Sequence, residues 1–415
     1  MNVVIVGGTL PYPATSGNRI RTLNLTVRLA RRHKVTYLGT RNPDRAEGLA
    51  ASEYLADHGV NAVEVEHTVA TKSGPAFYAR LAANLASPLP YSVASHHSPA
   101  LTRAVARAAE GGVDLWQAEW AAGLEAFRGL RGARKVVVAH NVETLIWERY
   151  YQTEANPLKR WYVGRQCRKF ERFERRAFAE AGRVIAVSPE DAELIRGRFG
   201  TPRVDVVDNG IDRAYFEAVV PDRDPYKILF LGSLEWRPNV DAVGLLLDKV
   251  FPAVRADEPR ATLDVVGRNP SAAMARRVAE TEGVTLHANV ADVRPYLARS
   301  GVMAVPLRIG GGSRLKILEA LATGLPVVST RVGAEGLSLR DGEHLVLADE
   351  PAAMAAELVQ SVREPARALA LAEAGRKLVL ERYDWDALAD LMERVWEKCQ
   401  AGAGTPSGLE GAVTP

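Results

Sequence analysis

The sequence predicts an α/β protein of two doubly wound, Rossmann-like domains in series. Three observations carry this: short unbroken Val/Ile/Leu runs, helical stretches between them, and a break near the middle after which the same alternation starts again. The 415 residues also exceed one ordinary core of ~100 to 200 residues, so two large domains are the simplest division.

The first strand is "NVVIVGG", a continuous apolar run ending in Gly, as a parallel strand covered on both faces requires. A helix is expected from Arg19 onward. Ile20, Leu23, Val27 and Ala30 line one face of it, and Arg21, Arg28, Arg31 and Arg32 are left for the wet side. "KVTYLGT" is the second strand, and "VDLWQAE", "RKVVVAHN", "RVIAVS" and "RVDVVDNG" extend the series to about Gly210. The segment "EAVVPDRDPY" has two prolines, several charges and no apolar period, and reads as a linker. Beyond it "KILFLGS", "ATLDVVGR", "VTLHANV", "VMAVPLR", "PVVST" and "HLVLAD" are strands, with helices such as "RLKILEALATG" between them. Two helical patterns close the chain before a Gly/Pro/Ser tail. The expected boundaries are residues 1–216 for the first domain, 217–227 for the linker, 228–384 for the second domain, 385–400 for a C-terminal helix returning to the first domain, and 401–415 for a disordered tail.

Composition excludes several classes. Lys plus Arg number 53 against 50 Asp plus Glu, so the net charge of +3 gives no case for nucleic acid. Cys167 and Cys399 are too far apart in sequence, and in no CxxC pair, to suggest a disulfide framework or a zinc site, which fits a reducing cytoplasm. No signal peptide and no run of ~18 apolar residues is visible, so membrane contact is expected to be peripheral at most. One stretch bears on such contact: "KRWYVGRQCRKFERFERR", residues 159–176, interleaves cations with Trp161, Tyr162, Phe170 and Phe173. Such a run is more often the wet face of a helix packed through its aromatics, and it also suits docking on an anionic leaflet.

Open parallel sheets bind ligands beyond the C-terminal ends of their strands, so a cleft served by both sheets is the default site. Three common signatures fail there. The first loop, "GGTLPYPATSGN", has neither GxGxxG nor GxxxxGK[ST], and no HExxH is present, which argues against a dinucleotide enzyme, a P-loop ATPase and a zinc hydrolase. The informative stretch is "VPLRIGGGSRLKILEALATGLPVV", Val305 to Val328. Gly310, Gly311 and Gly312 let backbone approach a ligand, Ser313 stands where an N-cap belongs, and the helix is expected to begin at Arg314. Arg314 and Lys316 then place cations where a helix alone prefers acids, as a bound phosphate would favour. The same residues also suit a plain glycine turn followed by a Lys316–Glu319 pair at i,i+3.

This segment, extended to "STRVGAEGL", resembles the donor-binding region of retaining glycosyltransferase family 4, whose fold is GT-B, two facing Rossmann-like domains. "ILFLGSLEWRPNVDAV", "LDVVGRNP", "VIAVSPEDAELI", "VVDNGID" and "VVVAHNVE" resemble other blocks of that family in the same order, to about Cys399. The resemblance implies that Glu319 takes the donor ribose hydroxyls, which a carboxylate can accept together. It implies that Arg314, Lys316 and Arg237 serve the diphosphate, that backbone near Val290 borders the base, and that Glu335 lies near ribose or sugar. His140 matches a residue near the reacting sugar, and Gly17 a glycine of the first loop.

The sequence departs from the family in two places. The first glutamate of the usual pair, eight positions before Glu319, is replaced by Gly311, so backbone of Gly311, Gly312 and Ser313 would take its place. The Arg after Gly232 and the Lys five residues later are here Ser233 and Pro238. The implied reaction is transfer of a sugar from a UDP- or GDP-linked donor to a glycan, lipid-linked or small-molecule acceptor, with retention, with neither metal ion nor further cofactor, and with diphosphate departure assisted by cations. A GT-B sugar-nucleotide 2-epimerase and a non-catalytic nucleotide-sugar-binding protein are the alternatives.

Overall fold

The computed structural model describes residues 1–14, 16–67, 69–71, 73–309 and 314–402. The chain divides into two compact units, the first formed by residues 1–207 and 389–415, the second by 208–388.

The first unit is built on a seven-stranded parallel sheet: β1 (Asn2–Thr9), β2 (Lys34–Thr40), β3 (Val60–Val65), β4 (Leu115–Ala118), β5 (Lys135–Ala139), β6 (Arg183–Ala186) and β7 (Val204–Val206). Its strand order is β3-β2-β1-β4-β5-β6-β7, so the direction of winding reverses between β1 and β4. Val3 to Val6 are at most 2% exposed and Val136 to Val138 are fully buried, as expected of strands covered on both faces. β3 was not expected from sequence. It is the edge strand and carries Asn61 and Glu64 among its apolar residues, so it lacks the continuous run that marks its neighbours. The first helix spans Gly17–Ala30, two residues earlier than expected, and Arg21 is fully buried rather than wet because that helix is covered around most of its circumference.

The second unit holds a six-stranded parallel sheet of β8 (Asp224–Leu231), β9 (Thr262–Gly267), β10 (Val284–Ala288), β11 (Ser300–Val305), β12 (Val327–Ser329) and β13 (Val346–Leu347). Its order is β10-β9-β8-β11-β12-β13, with the reversal between β8 and β11. All six strands overlap the expected segments, but β8 begins at Asp224, inside the stretch 217–227 expected to be linker. The sheet doubles the architecture of the first.

The last helix, Trp385–Ala401, ends in the first unit as expected. There Trp396 Nε1 donates to Gln117 Oε1 at 2.7 Å, and Glu393 lies 2.7 Å from His33 Nε2 and 3.0 Å from Arg32. The basic helix spans Pro157–Glu180. Phe170 and Phe173 are buried in the core, while Leu158 and Trp161 are 74% and 49% exposed. No described helix is long and apolar enough to cross a membrane.

Candidate active site

In the second unit, the reversal between β8 and β11 brings together two chain segments that follow those strands. β8 runs into Gly232 and the helix Arg237–Leu245, and the segment after β11 leads to the helix Leu315–Ala322. Lys316, in the first turn of the latter, donates from Nζ to Asn239 Oδ1 at 2.8 Å. Asn239 is itself buried and fixed, since its Nδ2 donates to the Ser233 carbonyl at 2.9 Å. Gly232 lies directly beneath this pair. A Cβ there would meet Asn239 Cγ at 2.8 Å and Lys316 Nζ at 2.9 Å, so any side chain at this position would displace the pair.

The electrostatics of this helix are unusual. Burial, then the nearby Arg314 charge, pushes the Lys316 ammonium down to about 7. Burial pushes the Glu319 carboxyl up to about 7, against the pull of Lys316. Both groups are therefore held away from their charged forms by desolvation, each partly rescued by the other. Three residues apart on one helix, they act on each other through charge alone: the Lys316 ammonium hydrogen-bonds Asn239, so the i,i+3 ion pair expected from sequence is not formed.

Arg314 does not begin the helix. It is the residue before it, with φ 47° and ψ 16°, and the first helical residue is Leu315. A left-handed arginine is a rare conformation with a cost of order 1 kcal/mol. Its side chain is buried and reaches Glu335, with Nη2 3.3 Å from Oε2. Arg314 and Glu335 are thus a pair, and Arg314 affects Lys316 through its charge. Arg237 is exposed at the start of its helix, two positions before Asn239. Gly311, Gly312 and Ser313 lie outside the described residues.

Val290 sits in the loop after β10, where Asn289 adopts φ 55° and its side chain accepts from the Asn269 backbone N–H at 2.9 Å, joining the loops after β9 and β10. Two positions on, Asp292 accepts from the Tyr215 hydroxyl at 3.1 Å and pairs with Arg294, whose guanidinium stacks 3.9 Å from the Tyr215 ring centre. Arg294 hydrogen bonding holds the Asp292 carboxyl below its ordinary range, while burial and the Asp292 hydrogen bond raise the Tyr215 phenol. Glu319 is close enough to act on Tyr215 as well. Asn239, Tyr215 and Arg294 were not anticipated from sequence.

In the first unit His140 follows β5, and Glu119 follows β4. His140 Nε2 lies 3.2 Å from Glu119 Oε2. Burial raises the Glu119 carboxyl, but hydrogen bonds from His140, Thr22 and Gln117 outweigh it and the net shift is downward. Gly17 is the first residue of its helix rather than part of an open loop. Among the described residues, no group of three or more His, Cys, Asp or Glu side chains is arranged to hold a metal ion.

Comparison with known proteins bears on both units. Residues 16–215 match the family model "Glycosyltransferase Family 4", and residues 225–364 match "Glycosyl transferases group 1". Glycogen synthase of Mycobacterium tuberculosis is 26% identical over 269 residues, 62% of this chain and 64% of that protein. Phosphatidyl-myo-inositol mannosyltransferase of Mycobacterium leprae is 33% identical over 41% of this chain and 46% of its own length. The chain thus spans less than two thirds of the length of these curated relatives. Sucrose-phosphate synthase from Thermosynechococcus elongatus superposes with a TM-score of 0.70 at 18% identity, over 97% of this chain and 100% of that one. Anabaena Alr3699/HepE in complex with UDP and glucose superposes at 0.67 and 14% identity, over 96% and 99%. Those structures share the GT-B architecture of two parallel-sheet units. With adjoining family models matched across both units on that fold, the chain belongs to glycosyltransferase family 4.

Proposed function

We propose that this chain transfers a sugar from a nucleotide-sugar donor to a hydroxyl acceptor, retaining the anomeric configuration, with neither a metal ion nor a further cofactor. The observation that carries the reading is the Lys316–Asn239–Gly232 constellation, with Glu319 one turn along the same helix. A half-buried amine clamped by an amide over bare backbone is suited to an anionic leaving group, and a half-buried carboxylate beside it to a diol. The diphosphate takes its place against Lys316 and the start of the 315–322 helix, and the ribose hydroxyls donate to Glu319. Tyr215 and Arg294 lie on the base side of Glu319.

The reaction breaks the bond from the anomeric carbon to the diphosphate oxygen. The electron pair leaves with the diphosphate, where Lys316 neutralises the developing charge as a metal ion does in other enzymes. The acceptor oxygen bonds the same face of the sugar and its proton passes to the departing diphosphate. His140 contributes a hydrogen bond to sugar or acceptor. The names of the relatives support a UDP- or GDP-linked donor and a glycan or lipid-linked acceptor. Where the acceptor is lipid-linked, the exposed Leu158 and Trp161 with their neighbouring cations are the surface proposed to meet an anionic membrane.

The test is a thermal-shift screen of UDP- and GDP-sugars, followed by product analysis with EDTA present. Stabilisation by one nucleotide class and an axial or equatorial product matching the donor are expected. A nucleotide sugar converted to its 2-epimer without any acceptor would overturn the transferase reading.

A further inference from the structure

A line of buried polar groups in the first unit reaches His140 from the C-terminal helix. Trp396 is fully buried, and its indole Nε1–H can only donate. It donates to Gln117 Oε1 at 2.7 Å, which fixes that atom as the amide oxygen and turns the NH₂ the other way. The Gln117 NH₂ meets Glu119 Oε1. An NH₂ group has only hydrogens to offer, so Oε1 accepts. The other oxygen, Oε2, accepts from the Thr22 hydroxyl at 2.7 Å and faces His140 Nε2 at 3.2 Å.

Glu119 is held from four elements at once. Its backbone N–H donates to the Val6 carbonyl of β1 at 2.8 Å, Thr22 comes from the first helix, Gln117 from β4, and His140 from the end of β5. Glu119, Gln117 and Thr22 are all under 9% exposed, so water does not compete for these bonds. With the carboxylate accepting everywhere, the hydrogen in the His140 contact belongs to Nε2.

We propose that Glu119 is a positioning residue for His140: set by Gln117 and Trp396, it keeps the proton on Nε2 and leaves Nδ1 to engage the substrate. In the neutral ring Nδ1 is then a hydrogen-bond acceptor for a hydroxyl, and the ring cannot present the opposite tautomer. The C-terminal helix, remote in sequence, thereby specifies the hydrogen-bonding character of a residue at the C-terminal end of β5. This rests on the proposed role of His140 only for its consequence in turnover, while the tautomer itself is a property of the unliganded chain.

The substitution Glu119→Gln makes a sharp test because it preserves shape and reverses polarity. Gln117 still offers its NH₂, so the new amide turns its oxygen toward Gln117 and its own NH₂ toward Thr22 and His140. Nε2 must then accept, and the proton moves to Nδ1. Nitrogen NMR of the full chain labelled at histidine, with His140 assigned by loss of its signals in His140→Ala, reads this directly at pH 8.5. The expected result is a protonated Nε2 in the wild type and a bare Nε2 in Glu119→Gln. Adding Trp396→Phe to Glu119→Gln frees Gln117 to turn and gives a mixture of tautomers. A bare Nε2 in the wild type, or no change on Glu119→Gln in a protein with native circular dichroism, overturns the proposal.

Turnover of UDP-glucose or GDP-mannose supplies the second arm. Glu119→Gln lowers kcat by about tenfold or more with a smaller change in KM, as the wrong tautomer does in other histidine-dependent enzymes. The same substitution in a His140→Ala background has no further effect on kcat. An equal loss in both backgrounds shows that Glu119 does not act through His140 and overturns the proposal. If His140→Ala alone leaves kcat unchanged, it is the substrate role of His140 that fails, and the NMR result decides the positioning of its proton independently.

Discussion

Donor binding is expected to exchange protons with solvent in a way that changes sign near pH 7. Lys316 is pushed down to about 7 and Glu319 up to about 7, so each group is half charged near neutrality in the unliganded site. A diphosphate against Lys316 favours the ammonium, and ribose hydroxyls donating to Glu319 favour the carboxylate. At pH 7.5 each group is about one quarter protonated, so on binding Lys316 takes up about 0.75 proton and Glu319 releases about 0.25, a net uptake of about 0.5. At pH 6.5 the fractions reverse, and the site releases about 0.5 proton net. Affinity requires both charges, so it peaks near pH 7 and is about threefold weaker at pH 6 and at pH 8. The assay is titration calorimetry of UDP-glucose or GDP-mannose in buffers of different ionisation enthalpy, since a diphosphate diester has no ionisation of its own in this range. Lys316→Met leaves only release, and Glu319→Gln only uptake. Zero exchange across pH 6 to 8 in the wild type, or uptake persisting in Lys316→Met, would refute the assignment.

Kinetic roles separate the same two residues: Lys316→Ala is expected to lower kcat through loss of leaving-group stabilisation, and Glu319→Ala to weaken donor binding by about 1.5 to 3 kcal/mol, measured as KM and as Kd by calorimetry. Gly232→Ala places a methyl 2.8 Å from Asn239 Cγ and should cost about 1 to 3 kcal/mol of overpacking in the second unit, read as a lower Tm together with lost donor affinity. An unchanged Tm and affinity would mean that Lys316 and Asn239 are not held against that backbone. Trp161→Ala should reduce cosedimentation with vesicles rich in phosphatidylglycerol at low salt, and equal sedimentation of the two proteins would remove membrane contact through this helix.

The sequence made the sheets legible where strands are buried on both faces, because burial of both faces forces the continuous apolar runs that mark β1, β5, β8 and β11. β3 escaped because an edge strand is released from that demand. At the site, Gly232, Lys316 and Glu319 stood out by motif, but Asn239 did not. An asparagine in the first turn of a helix is ordinary, and it acquires a role only because β8 and β11 are neighbours, which no local pattern states. Tyr215 and Arg294 are hidden for the same reason, with 77 residues separating Tyr215 from the Asp292 it bonds. Glu119 did leave a signal: an acid directly after a strand whose four residues are all buried, "LWQA", asks for partners, and finding three of them required the fold.

Arg314 illustrates how conflicts between local preference and structure mark the working part of the second unit. A helix start disfavours cations, yet Arg314 and Lys316 are there; an arginine disfavours positive φ, yet Arg314 adopts it; partial burial disfavours charge, yet Arg314, Lys316 and Glu319 lie within six residues of chain. Glu335 relieves one of these conflicts by pairing with Arg314, and Asn239 relieves a second by accepting from Lys316. Neither supplies the negative charge that would let Lys316 ionise fully, because Glu335 is engaged with Arg314, Asn239 is neutral, and Glu319 is itself held near half ionisation. Among the described residues no further side chain supplies that counter-charge, which is what the proposed donor brings. A group that bears it at neutral pH, fits against bare backbone at Gly232 and offers hydroxyls one helical turn away has the chemistry of a nucleoside diphosphate, so the electrostatic deficit of the unliganded site and the proposed donor are two descriptions of one constraint.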